Sequence, residues 1–316
     1  MYIIDTNLTT TAISMSNENS NYPVANAIHK RPKKVAKSTT TSSLMIFRGG
    51  GTDLFLFRAL ATSGNLDITD VTAVTKVSGT TLSVTANNKI EDSGNGLNVF
   101  SPGDDIVVTG FTTDANNGKF TIDTVDAGGA FVTLTTTPLT IEGAGDSVDV
   151  IDVSTPTITQ TIASLPGARS EYHLNLASSP YTDLIVELSL THTSLNVELG
   201  LIFTGSRIQY GISGYGRSDN FRDMSIVKVT AGGGIVTHNR DILRNINVPV
   251  KSTVAQRKSL EALLHDKQNQ EMVFVSNFNV DDVTQYTRYG IASASKTSTQ
   301  DLPDRRTYSL SITEAL

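Results

Sequence analysis

Between Val71 and Val153 the chain spells out a complete small β domain, and no other stretch limits the fold as tightly. Strand-like runs at Val74–Val77, Leu82–Thr85, Asp105–Val108, Phe120–Val125, Phe131–Thr135 and Ser147–Val150 are separated by Gly, Asn and Asp turns. Ser93-Gly94-Asn95-Gly96 and Asn116-Asn117-Gly118-Lys119 supply residues that tolerate positive φ. The flanking sequence has a different character, and its two halves need each other to complete a core. The pattern predicts an inserted domain, 71–153, of Ig-like or barrel type. It would project on two linkers, Leu66–Asp70 and Ser154–Thr159, which must then run side by side.

A chain of 316 residues has room for two or three domains with real cores. With 38% hydrophobic, 6% aromatic and 18% charged residues, no Trp and abundant Ser and Thr, it suits polar-surfaced β assemblies better than a compact helical enzyme. A net charge of −6 argues against a general nucleic-acid binder. The absence of cysteine excludes disulfides, thiolate metal sites and Cys nucleophiles. Met1-Tyr2-Ile3-Ile4-Asp5 lacks the charged-then-apolar layout of a Sec signal, and no apolar run approaches the roughly 20 residues of a membrane span. These features predict a soluble chain made in the cytosol.

Residues 1–14 read as a strand or arm, and Asn17–Asn26 as loop. The basic cluster from His29 to Lys34 reads as a solvated loop or a phosphate-contacting patch. Leu44–Phe47 and Leu54–Phe57 are buried-strand candidates split by Gly49-Gly50-Gly51, which predicts a turn between neighbouring antiparallel strands. That triple glycine precedes no Gly-Lys-Ser/Thr and no helix, so it does not read as a phosphate loop. Beyond the insert, Tyr172–Leu176 and Leu184–Leu190 alternate as half-buried strands should, and Leu199–Gly205 is a buried run. Met224–Val229 and Ala231–Val236 suggest a hairpin. Ser252 or Thr253 can cap a single helix near 253–267 with an apolar stripe of Val254, Leu260, Leu263 and Leu264. Strands return at Glu271–Val275, Tyr286–Ala292 and Thr307–Thr313.

Chemistry-bearing patterns are sparse. Acidic residues crowd the insert, but Asp104-Asp105 and Asp146 do not alternate along a tight turn as a calcium loop requires. His29, His173, His192, His238 and His265 form no metal-ligand spacing, and no Gly-x-Ser-x-Gly elbow occurs. No metal, cofactor or catalytic constellation is therefore expected. Tyr210, Tyr215, Arg217, Asp219 and Asn220 form an aromatic and polar loop that could stack on a sugar, or could simply be ordered against a neighbour. Residues 1–14 and His238–Ser252 read as assembly arms, with Arg240, Arg244 and Lys251 placed to meet acidic faces of neighbouring subunits.

The segment from Ser14 to Ile28, with Asn19-Ser20-Asn21-Tyr22-Pro23-Val24-Ala25-Asn26, resembles the start of galactose-binding-like β-sandwich modules such as those carried by bacteriophage tail proteins. Phe47-Arg48-Gly49-Gly50 followed by Leu60-Ala61-Thr62 is similar to the next turn and strand of that module. Leu199–Gly205 and the ending Arg305–Glu314 resemble strands of distal-tail and tail-tip subunits, and Pro102–Gly110 with Asn117–Ile122 looks like their small decorating β modules. Many relatives carry Trp after the first loop, where this chain reads Val35-Ala36-Lys37-Ser38-Thr39.

The resemblance implies a non-enzymatic structural subunit of a phage tail, a tip, distal ring or adaptor protein that forms homo-oligomers about the tail axis with other virion tail proteins. A carbohydrate-binding, host-recognition module is the alternative, its partner a surface glycan. The expected fold is mainly β. A jelly-roll-like sandwich is built from 15–70 and 154–235, with an N-terminal arm (1–14), the insert (71–153) and a C-terminal α+β segment (236–316) with one helix.

Overall fold

Runs such as Leu54-Phe55-Leu56-Phe57 and Leu184-Ile185-Val186-Glu187-Leu188 are buried at every position, although a strand shows alternate side chains to opposite faces. Both faces of such strands must be covered, and the fold that results is a stack of sheets. The structure is a computed structural model describing residues 2–4, 10–28, 35–136, 139–166, 171–177, 179–213, 218–223, 226–229, 235–238, 242–266, 272–275, 287–302 and 305–314.

The protein is mainly β, with antiparallel sheets packed face to face. At its centre lies a sandwich. One layer is a five-stranded sheet in the order Ile158–Ile162, Ser63–Asp70, Tyr181–Thr191, Ser42–Gly51, Thr11–Met15. The other layer combines a three-stranded sheet (Glu171–Asn175, Asp53–Phe57, Leu201–Gly205) with a four-stranded one made of short pieces from 36–37, 60–61, 165–166 and 198–199. Met45, Phe47, Leu66, Ile68, Leu184, Val186, Leu188 and Leu190 from the first layer meet Leu54, Leu56, Leu199 and Ile202 from the second. Each such side chain contributes about 1.5–3 kcal/mol by leaving water.

Outward-facing residues of the same strands build the next junctions. Ile46 and Ile185 leave the five-stranded sheet on its far side and meet Val107 and Ile151 of a seven-stranded sheet. That sheet is drawn wholly from Lys76–Gly79, Leu82–Ala86, Lys89–Asp92, Asp105–Thr109, Gly118–Val125, Phe131–Leu134 and Val148–Asp152. It curls so that Val77, Leu82 and Val84 from its two edge strands line one core with Ile106, Phe120, Ile122, Val148 and Val150. The strand Lys89–Asp92 is not among the runs legible in the sequence, because Lys-Ile-Glu-Asp carries only one apolar residue. The strands flanking the sheet pair with each other, Ile68 opposite Ile158, and Val71 and Val153 share one apolar cluster. Rather than projecting on its linkers, the seven-stranded sheet lies against the sandwich.

On the opposite side, Phe55, Phe57, Leu201 and Phe203 meet Val273 and Val275 of an eight-stranded C-terminal sheet. The reverse face of that sheet, with Met272, Phe274, Ile246, Val248, Val250, Leu310 and Ile312, packs under the helix Val254–Asp266 through Leu260. Thr253 and Gln256 form a reciprocal capping box: Gln256 N–H donates to Thr253 Oγ1 at 3.2 Å and Thr253 N–H to Gln256 Oε1 at 3.1 Å. Leu260 is buried and Leu263 and Leu264 partly so, but Val254 is 43% exposed and drops out of the expected stripe. At the first helical position its side chain lies over the capping turn, short of the sheet. Thr253→Ala should cost about 1 kcal/mol. Faster amide exchange confined to the helix would show it, and unchanged exchange would remove the cap from the account.

Several expected boundaries move. Tyr2–Ile4 is no free arm; it pairs with both Arg207–Gln209 and Met272–Val275 inside the C-terminal sheet. Sandwich strands end at Gly205, and Arg207–Gln209, Ile212–Ser213 and Ser218–Asp223 all join the C-terminal sheet, so the sandwich stops short of residue 235. The expected arm His238–Ser252 is, over Ile242–Thr253, a strand paired with Arg305–Glu314 and with Ser218–Asp223. The hairpin is present as Ile226–Val229 paired with Ile235–His238.

The triple glycine is not a turn between paired neighbours. It ends the strand Ser42–Gly51, and the chain then passes through Thr52 into Asp53–Phe57 of the other layer. The corner is tight because backbone runs against backbone. A Cβ on Gly50 would lie 2.8 Å from Tyr181 O, and one on Gly51 only 2.4 Å from Gly205 C.

Candidate functional site

Buried polar side chains include a network at each of the two outer junctions of the stack. Between the three-stranded and C-terminal sheets, Asp53 and His173 face the same way, because Asp53 pairs with Asn175 and Phe55 with His173 in the ladder. Their side chains are wholly buried, with His173 Nε2 at 2.8 Å from Asp53 Oδ1. Thr52 Oγ1 donates to Asp53 Oδ2 at 2.5 Å, and Arg207 Nε lies 3.5 Å from the same oxygen. The Arg207 N–H donates to Thr52 Oγ1 at 3.1 Å, and its Nη2 donates to Asn175 Oδ1 and Ala177 O, both at 2.7 Å. Phe55 stacks on the imidazole, ring centres 4.2 Å apart, and Phe203 stacks on Phe55 at 5.0 Å. An Asp–His pair is the orienting half of a hydrolytic triad. Here, however, the neighbouring Thr52 hydroxyl bonds the carboxylate, and no solvent reaches either side chain of the pair. The network satisfies buried polar groups where three chain segments converge.

The second junction joins the sandwich to the seven-stranded sheet. Arg48 projects from the strand Ser42–Gly51 and forks onto Asp183, Nε to Oδ1 at 2.8 Å and Nη2 to Oδ2 at 2.6 Å. Its remaining nitrogen, Nη1, donates to Asp149 Oδ2 at 2.6 Å, across the junction, where Lys76 Nζ also stands 3.5 Å away. Burial pushes the Asp149 carboxyl upwards, but hydrogen bonds from Ser78 and Arg48 outweigh it and hold the group below its ordinary range. The Asp183 hydrogen bond does most to hold the Arg48 guanidinium charged. Beside this fork, Lys119 reaches from the seven-stranded sheet to the buried Glu187 and to Asp105.

Apolar contact through Ile46, Ile185, Val107 and Ile151 outweighs these pairs in energy, since partly exposed ion pairs contribute about 0–1 kcal/mol each. The charges instead fix which face docks and in what orientation. Arg48→Met should destabilise the protein by about 1–3 kcal/mol, and Arg48→Lys by nearly as much because an ammonium cannot fork. Chemical denaturation of both variants measures it; full retention by Arg48→Lys would rule out the fork as the cause.

The residues singled out from sequence are not gathered into one site. Tyr210 is 5% exposed and sits in the core beneath the helix with Val250 and Leu260, so its ring is not a stacking surface for a sugar. Tyr215, Arg217 and Arg240 lie outside the described residues. Asp219 and Asn220 lie on Ser218–Asp223 opposite Ile246 and Asn245, and Arg244 opposite Phe221, so they share one pair of strands. Lys251 is exposed, further along the same strand, opposite Ile212 and Thr307. The basic cluster 29–34 also lies outside the described residues. What sequence reading missed is Arg48, Asp53, Lys119, His173, Glu187 and Arg207. For Glu187 a signal existed, since it is a lone charge inside the apolar run Leu184–Leu188; His173 sits in a strand that also carries Glu171 and Asn175, and gives no such signal. Among the described residues, no three His, Asp or Glu side chains are grouped to hold a metal, and no helix is long and apolar enough to cross a membrane.

Comparison with protein-family models and with curated proteins finds no match to either.

Proposed function

We propose that the chain is a non-enzymatic structural subunit of a bacteriophage tail, a tip, distal-ring or adaptor protein carried in the virion. It would be made in the host cytoplasm and would assemble with other tail proteins as a homo-oligomer about the tail axis. The observation that carries this reading is the stack itself: three successive β bodies joined face to face, with polar groups spent on fixing the joints. A rigid multilayer of this kind suits a load-bearing part. Two strands stand at the ends of the five-stranded sheet, Thr11–Met15 and Ile158–Ile162, the latter with Thr159, Gln160 and Thr161 exposed. Such edges can pair with strands of neighbouring subunits, and many weak repeats of that contact would add up to firm assembly. The motifs resembling tail-tip proteins supply the specific assignment.

A non-catalytic role is supported by the burial of the Asp53–His173 pair away from any substrate. The carbohydrate-binding alternative draws nothing from Tyr210, whose ring is buried. Antibody-labelled electron microscopy of intact virions tests the proposal. Label at the tail end is expected, and label absent from the tail would overturn it.

A further inference from the structure

Glu187 is only 4% exposed, yet it stands on the sheet face that receives the seven-stranded sheet. Lys119 Nζ approaches it, 3.0 Å from Oε1 and 3.3 Å from Oε2, but only the longer contact is aligned as a hydrogen bond, and Oε1 has no aligned donor. On the neighbouring strands Glu187 stands opposite Ile46 on one side and Asp67 on the other. Asp67 accepts from Asn65 Nδ2 at 2.8 Å and Thr159 Oγ1 at 2.7 Å. From the facing sheet come Lys119 and Asp105; Asp105 lies 3.2 Å from Lys119 Nζ and accepts from Thr121 Oγ1 at 2.7 Å. Further along the same face, Arg48 and Lys76 are taken up by Asp183 and Asp149. Glu187 and Asp105 are thus left to share the ammonium of Lys119, with the Asp67 carboxylate beside Glu187 on the neighbouring strand.

We propose that the seven-stranded sheet is clamped onto the sandwich by a proton: the joint is tightest with Glu187 neutral and loosens as Glu187 ionises. The sealed carboxylate has exchanged its hydration for one ammonium, which Asp105 also holds. Burial pushes the Glu187 carboxyl above its ordinary range, Lys119 offsets only part of this, and Asp67 and Asp105 push it further up. Burial pulls Lys119 downwards, but Glu187 and Asp105 prevail and keep it charged, so the proton is Glu187's to gain. Opening the joint returns Glu187 to water and to its ordinary affinity for protons. The closed state therefore binds the proton more tightly. Its advantage is complete below the ordinary carboxylate value and is lost as pH rises through the raised value. The joint would behave this way whatever assembly the chain enters.

The natural chain has no cysteine, so a single engineered thiol reports on opening without background. Val107→Cys places it at a fully buried position in the joint. Its labelling by a pyridyl disulfide, divided by the rate on the unfolded chain, should slow about three- to tenfold between about pH 7.5 and pH 5.5, within the limit of about tenfold per pH unit for one linked proton. Adding Glu187→Gln should give the slow rate throughout, with a flat profile. Adding Lys119→Met should speed labelling at neutral pH and steepen the profile. A flat profile in Val107→Cys alone, or one unchanged by Glu187→Gln, would overturn the proposal. A second measurement needs no probe: Glu187→Gln should melt higher than the natural protein at neutral pH and at the same temperature in mild acid. A lower melting temperature at neutral pH would equally overturn it.

Discussion

Asp53→Ala should lower the stability of the sandwich by about 3–5 kcal/mol, the usual cost of removing one partner from a fully buried polar pair. The Asp53 carboxylate is the common acceptor for His173 Nε2 and Thr52 Oγ1, with Arg207 Nε close by. The buried His173 and Thr52 cannot turn to water once it is gone. Asp53→Asn keeps the shape but offers one acceptor oxygen where two are used, so its loss should fall between the two extremes. Urea denaturation of both variants measures the difference. A loss below about 1 kcal/mol for Asp53→Ala would mean the network is slack, and that the apolar contacts of Phe55, Phe57, Leu201, Phe203, Val273 and Val275 hold the joint between the three-stranded and C-terminal sheets.

Gly51→Ala should cost roughly 2–5 kcal/mol, from two sources that can be separated. Gly51 has φ +128°, a region that side chains disfavour, and its Cβ would fall 2.4 Å from Gly205 C and 2.5 Å from Gly205 O. Those are backbone atoms held in the next layer, so overpacking adds about 1–3 kcal/mol to a conformational cost of about 1–2 kcal/mol. Gly103→Ala is the control, since φ is +93° there and nothing lies within 4 Å of the new methyl. It should show the conformational part only. Equal losses at the two positions would show that close approach at the sandwich corner is unimportant.

Residues 49–51 illustrate how far sequence reading reaches. Three glycines between two apolar runs announce a change of direction, and that is what they provide. Whether the runs then pair or part into separate layers depends on Gly205 and Thr204, more than a hundred residues away. Similarly, the strand positions within 71–153, Lys89–Asp92 apart, follow from local alternation and turn chemistry, while the docking of that sheet on the sandwich does not. Lys119 and Asp149 look like ordinary surface charges of a polar module until Glu187 and Arg48 are placed opposite them. Tyr210 carried the reverse error. A Gly-flanked tyrosine reads as loop surface, but the register of Arg207–Gln209 and Ile212–Ser213 in the C-terminal sheet puts it under the helix.

Sequence alone determined the β class, the alternation that sorts inward from outward residues, the helix near 253–267 with Ser252 or Thr253 as its cap, and the absence of cysteine. These are properties of neighbouring residues, set by side-chain period and backbone preference within a few positions. Only the tertiary structure decided that the sheets stack in series, that the outward residues Ile185, Glu187, Phe55 and His173 are buried, and which charges meet across the joints. Alternation tells a strand that it has two faces, but what covers the second face is supplied by segments far along the chain, and their contact has no local signature.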